Sequence, residues 1–435
     1  MRTGQLALRM IRSAYNAVGC KLNQYEMQLL AETLEPYGFL QVPFTEKADL
    51  YVINSCTVTS KADSSSRQMI RRALRSNPRA RILVTGCYAE LEIDSLRELS
   101  EDIFIIGNKA KSNIPDMVRD MFGITHQERQ NPCLIGRMDG HSRAFVKIQD
   151  GCAEKCTYCV IWKARGKPWS RDSGEIIAEI NGLYENGYRE VVLTGVHIGK
   201  YKNDCRLTGL LKVILEHTAM PRIRLSSLKP NECNDELLDI ISTQKRICPH
   251  IHLPIQSGDD SILRMMGRKY KAAAVRKLVQ RLASLREGMT VGADVIVGFP
   301  GEDDTAFAYT FSLIEECPIH HLHVFSHSDR PGAPAANLPD KIAPSQIARR
   351  SKKLWRLGRL KKTAHMRSFL GRTLDVIVEN RGQGSRMMGM SGNYLNVALE
   401  GNDGLRGKLV QIRVTGCDKE ALIGNVVDAE VSKND

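Results

Sequence analysis

Residues 151–159 read Gly-Cys-Ala-Glu-Lys-Cys-Thr-Tyr-Cys, and their spacing governs the reading of everything around them. Cys152, Cys156 and Cys159 form a C-x3-C-x2-C run directly after an apolar stretch, Phe145–Ile148, that predicts a β-strand. A structural zinc site takes four ligands, commonly in two C-x2-C pairs, and no second pair follows here. Three thiolates in one loop instead suit a cubane iron–sulfur cluster with one iron left open for a substrate or cosubstrate. The competing readings are three ordinary loop cysteines, or a zinc site completed by a distant residue.

Toward the C-terminus, the segments Val191–Thr194, Ile223–Ser226, His250–Ile255, Val291–Val297 and His321–Phe325 predict further strands. Helical stretches such as Gly174–Tyr184, Ala272–Arg286 and Asp304–Glu316 separate them. Six βα units predict a partial (βα)6 barrel over residues 144–370. From Gly371 to Asp435 the pattern changes to short strands with glycine-rich turns (Thr373–Val378, Tyr394–Leu399, Lys408–Val414), the signature of a small β-barrel of OB size.

On the N-terminal side, Thr125–Arg143 is irregular, carries Asn131-Pro132 and Gly136, and predicts a linker. Before it, residues 1–124 alternate apolar strands with amphipathic helices such as Glu26–Leu34 and Arg67–Leu74, the pattern of a parallel α/β sandwich. Three cysteines in this region, Cys20, Cys56 and Cys87, close the segments NAVGC, VINSC and LVTGC. Strand ends in a parallel sheet lie along one edge, where open α/β folds place their ligands, so the three thiols are expected to converge there. Burial as ordinary core cysteines is the alternative.

Composition narrows the function classes. The chain has 435 residues, 42% hydrophobic and 26% charged, which is globular rather than disordered. No apolar run reaches the roughly 20 residues of a membrane-spanning helix, and no secretory h-region follows the N-terminal MRTGQLALRMIRS, so a cytoplasmic protein is expected. The twelve cysteines of such a protein point to metal or redox chemistry before disulfides. A net charge of +13 suits a polyanionic partner. Eleven basic residues and no acidic one lie between Lys341 and Leu374, and six arginines with no acid lie between Arg67 and Arg81. Arg349, Arg350, Lys352, Lys353 and Arg356 are the candidate RNA contacts within the longer run. The C-terminal 65 residues hold 8 basic and 9 acidic residues, so bulk charge is not what would bring RNA there.

A series of motifs extends through nearly the whole chain: GCKLNQYE around Cys20, NSCTVTSKAD around Cys56, TGCYAE around Cys87, GCAEKCTYC, ARGKPWSR, LTGVHIGKY, RLSSLKP, HLPIQSGDDSIL, DVIVGFPGE and SHSDRPGAPAA. This series resembles the methylthiotransferase family of radical S-adenosylmethionine (SAM) enzymes. GCKLNQYE and CTVTSKAD are most similar to its branch that modifies N6-threonylcarbamoyladenosine beside the tRNA anticodon. The chain departs from the family pattern at Trp162, where a proline is usual, at Ser326-His327, where Pro-Tyr is common, and at Ala17, where a threonine is usual.

The resemblance implies two 4Fe–4S clusters. One is held by Cys152, Cys156 and Cys159, binds SAM and cleaves it to a 5′-deoxyadenosyl radical. The other, on Cys20, Cys56 and Cys87, carries the sulfur. It implies addition of a methylthio group to carbon-2 of the adenine, an electron donor such as flavodoxin or ferredoxin, and a C-terminal TRAM domain gripping the tRNA. Candidate SAM contacts are Thr194, Gly195, Gln256, Ser257, Asp294 and Arg171, with Arg165 beside the cysteine loop as a contact to SAM or phosphate, or as an exposed residue. The alternatives are a methylthiotransferase acting on isopentenyladenosine in tRNA or on a ribosomal protein, and a zinc-stabilised RNA-binding protein without chemistry. His321, His323 and His327 share a strand face and are expected to line the barrel rather than hold metal. Cys133, Cys205, Cys233, Cys248, Cys317 and Cys417 have no ligand spacing and are expected to be ordinary residues.

Overall fold

The computed structural model describes residues 10–124, 134–382 and 386–428. Much of the expected linker, residues 125–133 with Cys133, lies outside them. The chain divides into two compact units: residues 1–139 with 150–154 and 160–168, and residues 140–149 with 155–159 and 169–435.

The first unit is built on a five-stranded parallel sheet. Its strands are β1 (Ile11–Ala17), β2 (Phe39–Gln41), β3 (Leu50–Ser55), β4 (Arg81–Gly86) and β5 (Ile103–Ile105), in spatial order β2-β1-β3-β4-β5. Every residue of β3 is buried, as expected of a strand covered on both faces. Tyr51 and Ile53 pack with Ile70 and Ala73 of the helix Ser60–Ser76 on one face. Leu50 and Val52 pack with Met27, Leu30 and Leu34 of the helix Lys21–Leu34 on the other. Alternation along one strand thus makes two cores, and the sheet is the middle layer of a sandwich. The short β2 was not legible, because only Phe39 of its three residues is buried, whereas the equally short β5 is an apolar run.

The second unit holds six parallel strands of a partial barrel: β6 (Ala144–Asp150), then β8 (Glu190–Gly195), β9 (Arg222–Leu225), β10 (His250–Gln256), β11 (Thr290–Val297) and β12 (His321–Ser326), with the two-residue β7 (Trp169–Ser170) beside β6. They pair as β7-β6-β8-β9 and β10-β11-β12. The helix Asp304–Glu316 has the bounds its periodicity predicts, and Asp303 caps it by accepting from the Ala306 backbone N–H. The basic run from Lys341 forms the helix Pro344–Arg367, which packs on β12 where Gly358 meets Leu322.

The tail closes into a five-stranded barrel, order β13-β14-β15-β17-β16, from β13 (Thr373–Arg381), β14 (Met387–Ser391), β15 (Asn396–Leu399), β16 (Leu409–Cys417) and β17 (Leu422–Asp428). It packs with the larger barrel through a buried ion cluster. Glu190 sits between Arg222 and Arg224, with Arg143 3.5 Å away. The two β9 arginines also donate to the carbonyls of Met390, Ser391 and Gly392. These three cations pull Glu190 down to about 2 against the cost of burial.

Candidate metal and cofactor sites

The Cys20, Cys56 and Cys87 thiols meet at the C-terminal edge of the first sheet. Cys20 is the N-cap of the helix Lys21–Leu34, Cys56 follows β3 directly, and Cys87 begins the short helix Cys87–Leu91 after β4. Cys56 lies near enough to feel the charge of both Cys20 and Cys87, and Cys20 that of Cys87. Cys56 and Cys87 are buried, and burial pushes the Cys56 thiol up to about 12. Cys20 is open to solvent in a recess crowded by protein, which raises its thiol while Arg165 pulls it back. Gly19 is required here: its φ is +89°, and a methyl group on it would lie 2.6 Å from Cys56 Sγ.

A buried ion network surrounds these thiols. The Arg165 guanidinium donates from Nε to Cys87 Sγ (3.3 Å) and from Nη1 to Glu26 (2.6 Å) and Asp150 (3.1 Å), while Nη2 reaches Asn23. Lys111 donates to the other Glu26 oxygen (2.7 Å), as does Asn54 (2.9 Å). Two cations and two carboxylates balance before any thiol ionises, so each thiolate formed here adds negative charge beside Arg165. The Asn108 amide points at Cys87 Sγ (3.8 Å), while its buried Oδ1 has no hydrogen-bond partner among the described residues. Three convergent thiols, a cradle kept clear by a glycine and an orphaned polar atom fit a cluster held by three cysteines.

The Cys152–Cys159 loop is fixed piecewise. The Cys152 N–H donates to the Gly166 carbonyl (3.1 Å), and the Glu154 N–H donates to Cys152 Sγ (3.4 Å). Gly151 has φ +75°, and a side chain there would strike the Lys167 carbonyl. Farther along, Cys159 N–H donates to the Cys156 carbonyl, Thr157 is tied to Met265 and Met266, and the Tyr158 hydroxyl meets Arg268. A donor set of three thiols within eight residues of sequence suits a three-cysteine cluster. Trp162 lies in the first turn of the helix Ile161–Arg165, a position a proline also tolerates, so this departure changes the side chain and not the course of the backbone.

The structure sorts the other candidates. Thr194 and Gly195 end β8, and Gly195 approaches the Gln149 carbonyl so closely that a side chain would meet it at 2.6 Å. Gln256 ends β10 with φ 69°, a left-handed conformation rare outside glycine, and buried Ser257 follows with its hydroxyl on Thr310. These four stand at the strand ends where a βα barrel takes its ligand.

Three expectations need correction. Arg171 does not present an open guanidinium: it is buried against Glu179 and the Lys147 carbonyl. Arg165 is not exposed and serves the Cys87 network instead. Arg350 is no surface contact for RNA: it is 1% exposed and bridges Glu302 and Asp304. Arg349, Lys352, Lys353 and Arg356 lie on the helix's exposed side, while Arg350 faces inward. Asp294 also has partners other than a cofactor, for its carboxylate accepts from His252 (2.7 Å) and His323 (3.1 Å). Sequence spacing placed His323 on a face but missed His252 and Asp294 beside it, because cross-strand register is not written in any one segment.

The fold defines a class. Its likeness to the radical SAM methyltransferase TsrM from Kitasatospora setae has a TM-score of 0.57 at 15% identity, covering 75% of this chain and 77% of that one. The cobalamin-dependent radical SAM enzyme OxsB gives 0.54 at 10% identity, over 82% and 56%. Residues 146–314 match the radical SAM superfamily, and residues 12–107 match a family described as uncharacterized protein family UPF0004. The threonylcarbamoyladenosine tRNA methylthiotransferase MtaB of Bacillus subtilis is 32% identical over 97% of this chain and 98% of its own length. Its namesake in Thermotoga maritima is 34% identical over 93% and 94%. The tRNA-2-methylthio-N(6)-dimethylallyladenosine synthase of Cereibacter sphaeroides is 30% identical over 94% and 97%. The chain belongs to this family of radical SAM methylthiotransferases. Radical SAM enzymes use a 4Fe–4S cluster and SAM, and methylthiotransferases of the MtaB type carry two clusters. Among the described residues, no helix is long and apolar enough to cross a membrane.

Proposed function

We propose that the protein adds a methylthio group to carbon-2 of N6-threonylcarbamoyladenosine in tRNA. The observation that carries this reading is similarity over 93–97% of the chain, at 32–35% identity, to relatives bearing that activity in their names. An acceptor C–H bond of this strength is beyond any side-chain acid or base, and bound cofactors supply the radical and the sulfur.

The chain's own residues divide the remaining work. Cys152, Cys156 and Cys159 would hold the cluster that faces SAM, and Cys20, Cys56 and Cys87 the cluster that bears sulfur. Three ligands in each set leave one iron free in each, for SAM in one and for transferable sulfur in the other. Arg165 donates to the Cys87 sulfur and offsets its charge, and Glu26 and Asp150 hold that guanidinium in place. Thr194, Gly195, Gln256 and Ser257 would bound the SAM pocket.

The exposed face of the helix Pro344–Arg367, with Arg349, Lys352, Lys353 and Arg356, would meet tRNA phosphates, which position RNA without reading its sequence. The functional partition is then 1–124 for sulfur, 125–143 as linker, 144–370 for SAM chemistry and 371–435 for RNA. A small iron–sulfur or flavin protein of the ferredoxin or flavodoxin kind would supply electrons, in the cytoplasm. Mass spectrometry of tRNA nucleosides from a deletion strain tests the reading. Loss of the 2-methylthio form with accumulation of unmodified threonylcarbamoyladenosine is expected. Unchanged levels, with loss of the methylthio isopentenyl nucleoside instead, would assign the chain to the other branch.

A further inference from the structure

Three adjacent strands bring His252, Asp294 and His323 together. One ligand atom from each lies within 4.8 Å of the other two. Register explains how. His252 of β10 pairs with Gly292 of β11, and Asp294 of β11 pairs with His323 of β12, so all three side chains project to the same face. That face is the barrel interior, since Leu322, their alternating neighbour on β12, packs on Gly358 of the outer helix. Gly292 clears the space, for a methyl group there would lie 2.6 Å from His252 Nδ1.

We propose that His252, Asp294 and His323 form a binding site for a divalent transition-metal cation of the zinc class. Two imidazoles and one carboxylate are the nitrogen and oxygen donors that such cations prefer. The hydrogen bonds that hold the group converge on a single carboxylate oxygen, Asp294 Oδ1, at 2.7 and 3.1 Å. A tetrahedron with ligands about 2.0–2.2 Å from its centre has edges of about 3.3–3.6 Å, so the side chains need to part by less than about 1 Å to admit the cation. Metal binding requires His252 Nε2 and His323 Nδ1 to give up their protons. His323 can move its proton to Nε2, where His321 Nε2 lies 2.8 Å away to accept it.

His321 suits that task. Its Nε2 is hydrogen-bonded to His323 Nε2, and it stands two residues earlier on β12 on the same strand face. It thereby becomes the outer partner that fixes the tautomer of a ligating histidine. Tyr394 closes the other side, stacked on His250 and edge-on to His321. His323 remains 47% exposed, which leaves a position open for an exchangeable ligand. None of its three ligands belongs to either cysteine set.

The test is zinc per chain in the cluster-loaded protein after dialysis against limiting Zn2+, with iron counted in the same samples. Wild type is expected to keep about one zinc per chain, showing only nitrogen and oxygen neighbours by zinc-edge X-ray absorption. Asp294→Asn and His323→Gln are expected to lose it at unchanged iron, and His321→Phe to weaken it about 10–100-fold. No zinc in wild type would overturn the proposal, as would zinc with sulfur neighbours or zinc retained by both ligand variants. Wild type alone can overturn it, so a variant that folds poorly does not shelter the idea.

Discussion

The two cysteine sets solve one problem in opposite ways. Cys152, Cys156 and Cys159 lie within eight residues of one loop, with the Cys159 N–H bonded to the Cys156 carbonyl and the Cys152 N–H to that of Gly166. Cys20, Cys56 and Cys87 are separated by 36 and 31 residues, and only the parallel sheet brings them together. The compact set depends on a turn. The dispersed set depends on a whole domain and carries a buried network of Arg165, Lys111, Glu26 and Asp150 around its thiols, where the compact set has Arg268 near Cys156. A site assembled from distant segments draws its charged partners from distant segments too, here positions 26, 111, 150 and 165.

The largest effect that sharpens this contrast is on chemistry. Cys56→Ala is expected to lower methylthio product by at least 100-fold while SAM cleavage to 5′-deoxyadenosine continues, a split read by mass spectrometry of both products. Removing Cys152, Cys156 and Cys159 together should abolish both. Equal loss in the two cases would erase the division of labour.

Next comes the network. Arg165→Met leaves Glu26 and Asp150 buried with less compensation, and is expected to cost about 3–5 kcal/mol in denaturant unfolding. The same variant should lose iron from the dispersed set first.

Glu190 offers the matching probe in the second unit. Its pKa falls from about 4.5 unfolded to about 2 folded, so its stabilisation is present above pH 4.5 and disappears as pH drops toward 2. That contribution is on the order of 3 kcal/mol. Glu190→Gln should flatten the acid limb of the stability profile, and an unchanged limb would remove Glu190 from the account.

The smallest effect lies at the surface. Reversing Lys352, Lys353 and Arg356 to Glu should weaken tRNA binding and reduce its salt dependence without moving the melting temperature. Arg350→Ala should do the reverse, lowering stability through the stranded Glu302.

This contrast also explains what could be read in the sequence. The helix and strand order, the partial barrel and the small terminal barrel were legible because alternation and helical periodicity are local. The loop cysteines were legible for the same reason. Convergence of Cys20, Cys56 and Cys87 followed once the strands were recognised as parallel, since strand ends then share an edge. Charge runs were less informative. The helix from Pro344 buries Arg350 and exposes Arg349, and a count of basic residues cannot tell them apart. Arg165, Asp150 and Glu26 were illegible as a group because nothing local links positions 26, 150 and 165. The His252, Asp294 and His323 group depends on strand register in the same way.

Two separate three-cysteine sets are each expected to hold a cluster. Iron and acid-labile sulfide per chain after anaerobic reconstitution test it most directly, with wild type beside the Cys20/Cys56/Cys87→Ala and the Cys152/Cys156/Cys159→Ala triple variants. About eight irons in wild type and about four in each variant are the predicted result. About four irons in wild type, unchanged when Cys20, Cys56 and Cys87 are removed, would contradict it.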